Sequence, residues 1–235
     1  MKKIFLMTAV LILPALFLAM CKDQAGNTTR QAYIISVDGA SVKKSADTAS
    51  ESICVIPFGC PVEVADNTGA ADSSKGWSKA RWESTEGWVR KDGTGDIKSV
   101  QDRISVSGHE EKKYLSEKVN RAFDGMYSIT RTFFYTGGEM EPASMLFLSN
   151  GVLALNSTIF SEKQQINYFS YEFLSDGRLL KIYFSDDSRV NFAEYRVVEE
   201  GNSSVFRIDD NEKSIIYQVK EGSVNFFNWV FIEKK

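Results

Sequence analysis

Histidine occurs once in these 235 residues, at position 109, and cysteine only three times. Nucleophilic catalysis usually needs a histidine base beside its serine or cysteine, and His109 lies in a charged stretch read below as a helix. The cysteine–histidine arrangement of wall hydrolases is therefore missing. A metal site lacks donors for the same reason, with no cluster of cysteine or histidine ligands. No phosphate loop or dinucleotide fingerprint is present, so no cofactor is implied. Basic clusters are also scarce, the densest being Lys43-Lys44 and Lys112-Lys113, and 28 basic residues face 31 acidic ones. A mildly acidic chain without a basic patch is not built for a phosphate backbone, which excludes nucleic acid as a partner. Paired acids at Asp186-Asp187, Glu199-Glu200 and Asp209-Asp210 fall in segments read as hairpin turns, where acids are common and solvated. The sequence points away from an enzyme.

What is present begins at the N-terminus. Lys2 and Lys3 precede an uncharged apolar run from Ile4 to Met20 that ends at Cys21, the pattern of an export signal. "LAMC", Leu18 to Cys21, resembles the bacterial lipobox, although Met20 stands where most lipoboxes have Gly, Ala or Ser. The resemblance implies lipidation of Cys21 and residues 1–21 as a lipoprotein signal peptide. Lys22 rather than Asp follows the cysteine, so the inner-membrane retention signal is missing and the outer membrane, or its periplasmic face, is the expected location. A lipid anchor would keep the protein at a bilayer.

Residues 22–31 are polar and read as a tether. Short β-type runs then alternate with turn signals from Tyr33 to Val89, the pattern of a small all-β unit over residues 32–97. The order "VDGASVKKSADTASESICVIPFGCPVEV" followed by "GWSKARWESTEGWV" resembles the bacterial SH3 domain, through Gly59, Val62, Val64, Gly76-Trp77, Lys79 and Gly87-Trp88-Val89. It departs from that family at "SVKKS", Ser41 to Ser45, and at Ala80. The resemblance implies a small barrel that binds cell-wall peptides or partner proteins and carries no chemistry itself.

Three of the four tryptophans lie in "GWSKARWESTEGWVR". In an extended strand Trp77, Lys79 and Arg81 share one face, while Ser78, Ala80 and Trp82 share the other. Trp82 is therefore expected beside the core. Trp77, Trp88 and Lys79 are the expected ligand-binding residues, since an aromatic face offers contact area at small entropic cost to an extended peptide or a sugar ring. The alternative is that both aromatics are half-buried packing residues. Cys54 and Cys60 flank Pro57-Phe58-Gly59; if that turn places them opposite each other on adjacent strands, an exported protein could bridge them. Otherwise they are two buried thiols.

Residues 98–122 are polar and charged. "SGHE", Ser107 to Glu110, matches a capping box, which predicts a linker helix over residues 108–122 with His109 exposed in its first turn. Residues 123–235 form nine or so strand-like runs punctuated by Asn150-Gly151 and Asp176-Gly177, an antiparallel up-and-down barrel or strongly curved sheet. "FDGMYSI" distantly resembles the entrance motif of the lipocalin-like barrels, with Tyr127 in place of tryptophan. Phe227, Trp229 and Phe231 alternate with Phe226, Val230 and Ile232, so the last strand is apolar on both faces and needs cover on each.

The sequence thus predicts an all-β chain of two units. Its expected function is noncatalytic binding of a peptidoglycan peptide or an envelope protein through the aromatic groove. A lipocalin-like small-molecule or lipid carrier and a surface-exposed adhesin are the other functions compatible with it.

Overall fold

In the computed structural model, residues 28–65, 76–135 and 142–234 are described. The expected signal peptide, Cys21 and most of the tether lie outside them. The sixteen strands among the described residues fall into two antiparallel sheets, so the all-β expectation holds. The N-terminal sheet contains β1 (Thr29–Ile34), β2 (Ala40–Lys43), β3 (Ser52–Ile56), β4 (Pro61–Ala65), β5 (Trp77–Trp82), β6 (Thr85–Arg90) and β7 (Thr94–Gly95), in the order β3-β2-β6-β5-β4-β1-β7. Its close crossing depends on Gly87. A Cβ there would meet Val42 Cγ1 at 2.4 Å and the Lys43 carbonyl oxygen at 2.7 Å, so only glycine lets β2 lie against β6.

The C-terminal sheet contains β8 (Ile129–Tyr135), β9 (Ser144–Leu148), β10 (Val152–Ser157), β11 (Gln165–Leu174), β12 (Leu179–Tyr183), β13 (Val205–Asp209), β14 (Ser214–Gln218), β15 (Ser223–Phe226) and β16 (Trp229–Lys234). Their order is β13-β14-β12-β11-β10-β9-β8-β16-β15. The sheet curls until β15 lies near β14, with the Tyr217 and Phe226 rings 5.3 Å apart. Among the described residues no ladder closes either sheet, so the C-terminal unit takes the curved-sheet form of the expectation, and the small barrel expected for the N-terminal unit is an open sheet. The concave interior is packed with Phe133, Phe147, Phe169, Phe184, Phe226 and Phe231.

Among the described residues three α-helices accompany the sheets, and two differ from expectation. Helix α1 (Ile97–Glu110) starts eleven residues before the expected helix, because the Asp96 carboxylate accepts from the Ser99 N–H at 2.8 Å and caps it. Val100, Ile104 and Gly108 recur at four-residue spacing and form its buried stripe. Ser107 lies inside this helix, and the capping role falls to Ser116, which starts the short α2 (Glu117–Ala122). Helix α3 (Phe192–Glu199) replaces an expected strand in "RVNFAEYRVV"; its inward residues Phe192, Tyr195 and Glu199 follow a helical spacing.

Helix α1 packs against both sheets. It lies between the sheets, where Val100 and Ile104 pack with Phe58 from the N-terminal sheet and with Leu146, Leu148, Val152, Ala154 and Tyr168 from the outer face of the C-terminal one. This explains why every residue of β9 and β10 is buried: the curled interior covers one face and the helix layer the other. Phe134 of β8 reaches into the N-terminal core beside Ile56 and Cys60, Asn156 Nδ2 donates to the Val37 carbonyl at 3.2 Å, and Lys234 pairs with Glu83 at 2.7 Å. The cover expected on both faces of the last strand is incomplete, since Val230 and Ile232 are exposed.

Candidate functional site

A two-residue turn at Glu83-Ser84 folds β5 onto β6 and sets the register that builds the candidate face. Trp77 lies opposite Arg90, Lys79 opposite Trp88 and Arg81 opposite Glu86, and β2 adds Lys43 beside Trp88. Directly paired residues in an antiparallel ladder point to the same side. Trp77, Lys79, Arg81 and Trp88 therefore share one surface, as strand parity predicts. Ala80 and Trp82 point to the other side, where Trp82 packs against the N-terminal core.

That surface divides into two parts. At one end a groove of about 290 Å³ runs between the β5–β6 face and the segments around β2. Its lining includes Trp77, Arg90, Asp92, Lys43, Ser41 and Thr48. Trp77 is only 7% exposed, so its ring forms a wall and does not project. The Arg90 guanidinium stands 5.9 Å from the ring centroid, a cation–π distance. It also grips Asp92 with two hydrogen bonds, Nε to Oδ1 at 3.0 Å and Nη2 to Oδ2 at 2.7 Å. These bonds hold the Asp92 carboxyl below its ordinary range and push the Arg90 guanidinium further up.

Lys43 is the other cation of the groove. Its ammonium donates to Ser52 Oγ at 2.9 Å, and among the described residues it forms no ion pair. The lining therefore carries two cations to one acid.

At the other end Lys79 lines a separate, shallower cleft with Glu63, Arg81 and Glu86. Lys79 pairs with Glu86 at 3.3 Å and Arg81 with Glu63, all four well exposed. Exposed pairs of this kind contribute little energy. The expected trio is thus split: Trp77 lines the groove, while Lys79 and the half-buried Trp88 stand on the same face outside its lining. Arg90, Lys43 and Asp92 were missed. The hairpin register could have supplied Arg90, because a two-residue turn at 83 and 84 pairs position 77 with position 90.

Cys54 and Cys60 are not joined. The expected bridge required adjacent strands, but β3 pairs with β2 whereas β4 pairs with β1 and β5. Cys54 faces the β2 ladder opposite Val42, and Cys60 turns into the core. Burial pushes the Cys60 thiol up to about 12, against the opposing influence of Lys234 and the Trp82 indole N–H.

Of the paired acids expected to be solvated, Glu200 and Asp210 are exposed, whereas Asp186, Asp187 and Glu199 are buried. Asp186 accepts from Ser116 Oγ at 2.9 Å and from the Ser170 N–H at 2.5 Å. Asp187 is 2% exposed and holds Arg189, which reaches Glu111 at 2.7 Å. These carboxylates bind the connection between α1 and α2 to the C-terminal sheet. Glu199 is buried too; its carboxylate accepts from the Phe227 N–H at 2.9 Å and from Asn202 Nδ2 at 3.0 Å. His109 is exposed, as expected, but in the last turn of α1, with Nδ1 2.7 Å from the Ser105 carbonyl oxygen. Among the described residues no group of three or more His, Cys, Asp or Glu is arranged to hold a metal, and no helix is long and apolar enough to cross a membrane.

No family model and no curated protein matches the chain. Two solved structures from Trichomonas vaginalis are similar to part of it. NlpC2 has 11% identity and a TM-score of 0.25 over 60% of this chain and 71% of that one. NlpC1 has 9% identity and a TM-score of 0.24 over 60% of this chain and 64% of that one.

Proposed function

We propose that this chain is a noncatalytic binding protein of the cell envelope, lipidated at Cys21. In this reading the Trp77 groove of its N-terminal sheet receives an extended peptide of the cell wall or of an envelope protein. The observation that carries the reading is the groove itself. A rigid indole wall, two cations and the Ser41 and Thr48 hydroxyls surround about 290 Å³ of open space. A fixed aromatic wall gives contact area without ordering a flexible side chain, and hydroxyls at the rim suit the N–H and C=O groups of an extended backbone. Lys79 and Trp88 lie next along the same face and would meet a longer ligand.

The carrier reading has less support, because aromatic rings occupy the concave interior of the C-terminal sheet. A roomier space of about 780 Å³ is an open cleft lined by Phe160 and Tyr195, which pack against that interior.

Co-sedimentation with purified cell-wall sacculi tests the proposal, using the full chain in detergent. Ser41 is exposed on β2 and lines the groove, so Ser41→Trp fills it without touching the core. Pelleting of the native protein and its loss in the variant are expected. Equal pelleting of both would remove the groove from the account.

A further inference from the structure

The charge inside the groove carries the reading further, and this inference rests on the function just proposed. Three ionic side chains line the space: Lys43, Arg90 and Asp92. Two of them satisfy each other, since Arg90 holds both oxygens of Asp92. That leaves one ammonium with a hydroxyl as its side-chain partner, 2.9 Å from Ser52 Oγ. Lys43 is half-buried at the end of β2, with Trp88 opposite it on β6 and the Gly87 crossing beside it. The surrounding strands therefore hold its stem, and its head keeps donors to spare.

Elsewhere on the N-terminal sheet the pattern is different. Lys44 meets Glu51, Lys79 meets Glu86, and Arg81 meets Glu63. Each of those cations lies beside a carboxylate of the chain itself. Among the described residues the groove lysine does not, and its side-chain partner is the Ser52 hydroxyl.

We propose that Lys43 is the carboxylate anchor of the groove, and that the ligand class is an extended peptide bearing a free carboxylate, with its apolar portion against the Trp77 ring. The carboxylate takes the position that an acidic side chain occupies beside the other cations of this sheet. Arg90 then acts as a second, conditional donor, because its fork is engaged by Asp92 until a ligand competes for it. The charge-assisted bond from Lys43 gives a preference for free over amidated carboxyl groups, which the indole wall alone would not.

The test uses the full chain in detergent and two preparations of sacculi, one native and one with its free carboxyl groups amidated by carbodiimide and ammonia. A hydrogen bond to a charged group is worth enough that its loss should weaken binding by roughly ten- to a hundredfold. Native protein should lose that factor on amidated sacculi. Lys43→Gln should lose a similar factor on native sacculi and be indifferent to amidation, while Lys43→Arg should keep most of the binding. Matching far-UV dichroism and thermal midpoints for the variants exclude a folding defect. Pelleting that ignores both amidation and Lys43→Gln would overturn the anchor and leave the groove reading standing. A native protein that fails to pellet with native sacculi would overturn the cell wall as the ligand of the groove, and with it the anchor proposed for wall carboxylates.

Discussion

Phe58 gives the sharpest test of how the two sheets are coupled. It sits in the turn between β3 and β4, is fully buried, and packs among Val100 and Ile104 of α1 and Leu146 and Leu148 of β9. The same turn contains Gly59, whose φ of +75° and 2.9 Å approach to Leu146 leave no room for a Cβ. Phe58→Ala removes a ring from a site walled by α1 and β9, which cannot both move in to fill the space. A buried Phe→Ala change costs about 3–5 kcal/mol when the cavity stays open. With a urea dependence of about 2–3 kcal/mol per molar, the unfolding midpoint should fall by about 1–2.5 M. Trp77, Trp82 and Trp88 report on the N-terminal sheet, and Trp229→Phe silences the C-terminal signal. Far-UV dichroism reports on all strands together. If α1 joins the sheets into one cooperative body, fluorescence and dichroism shift together in Phe58→Ala. The reasoning is refuted if fluorescence shifts alone and a second dichroic transition stays where it was.

Two further outcomes follow from buried titratable groups. Burial raises the Glu199 carboxyl above its ordinary value, against opposing hydrogen bonds from Asn202 and the Phe227 N–H. The folded state therefore holds that proton more tightly than the unfolded state. Its contribution is fully present below the unfolded carboxylate value and is lost as pH rises through the raised folded one. Glu199→Gln should flatten that fall, so urea midpoints measured from about pH 4 to 7.5 should converge at the acid end and favour the variant at neutrality; a variant less stable throughout would contradict the assignment. Cys60, with its thiol pushed up to about 12, should resist iodoacetamide at pH 8 until the protein unfolds, as mass spectrometry of the alkylated peptide would show. Alkylation of native Cys60 at the rate of a small free thiol would show that the site opens without global unfolding.

Much of the N-terminal sheet was legible because its signals are local. Strand parity assigned Trp82 to the core side and Trp77 to the other face, as the β5–β6 register shows. Asn150-Gly151 and Asp176-Gly177 marked chain reversals correctly, with positive φ at both glycines. The failures share a cause, which is dependence on partners distant in sequence. Ser107 matched a helix start by spacing, but Asp96 offered an equally good cap and α1 had a buried stripe that only the two flanking sheets could reward. The cysteines looked close along the chain, yet the topology sends β3 and β4 to different neighbours. Asp186 and Asp187 read as turn acids because their partners Ser116 and Glu111, through Arg189, lie about seventy residues earlier. Lys43 was visible as half of a short basic pair and as part of a departure from the bacterial SH3 pattern; its lack of an acidic partner among the described residues is a property of the folded sheet.

The most direct test of the groove is hydrogen exchange on the full chain bound to sacculi, compared with the unbound protein. Local protection reports where backbone groups are covered. The account predicts slower exchange confined to residues 36–48, to the start of β5 at Trp77 and to residues 90–93, with the segments around Phe160 and Tyr195 unchanged. Protection at residues 158–164 and 192–199, with the groove segments exchanging as before, would contradict it and move the binding site to the other cleft.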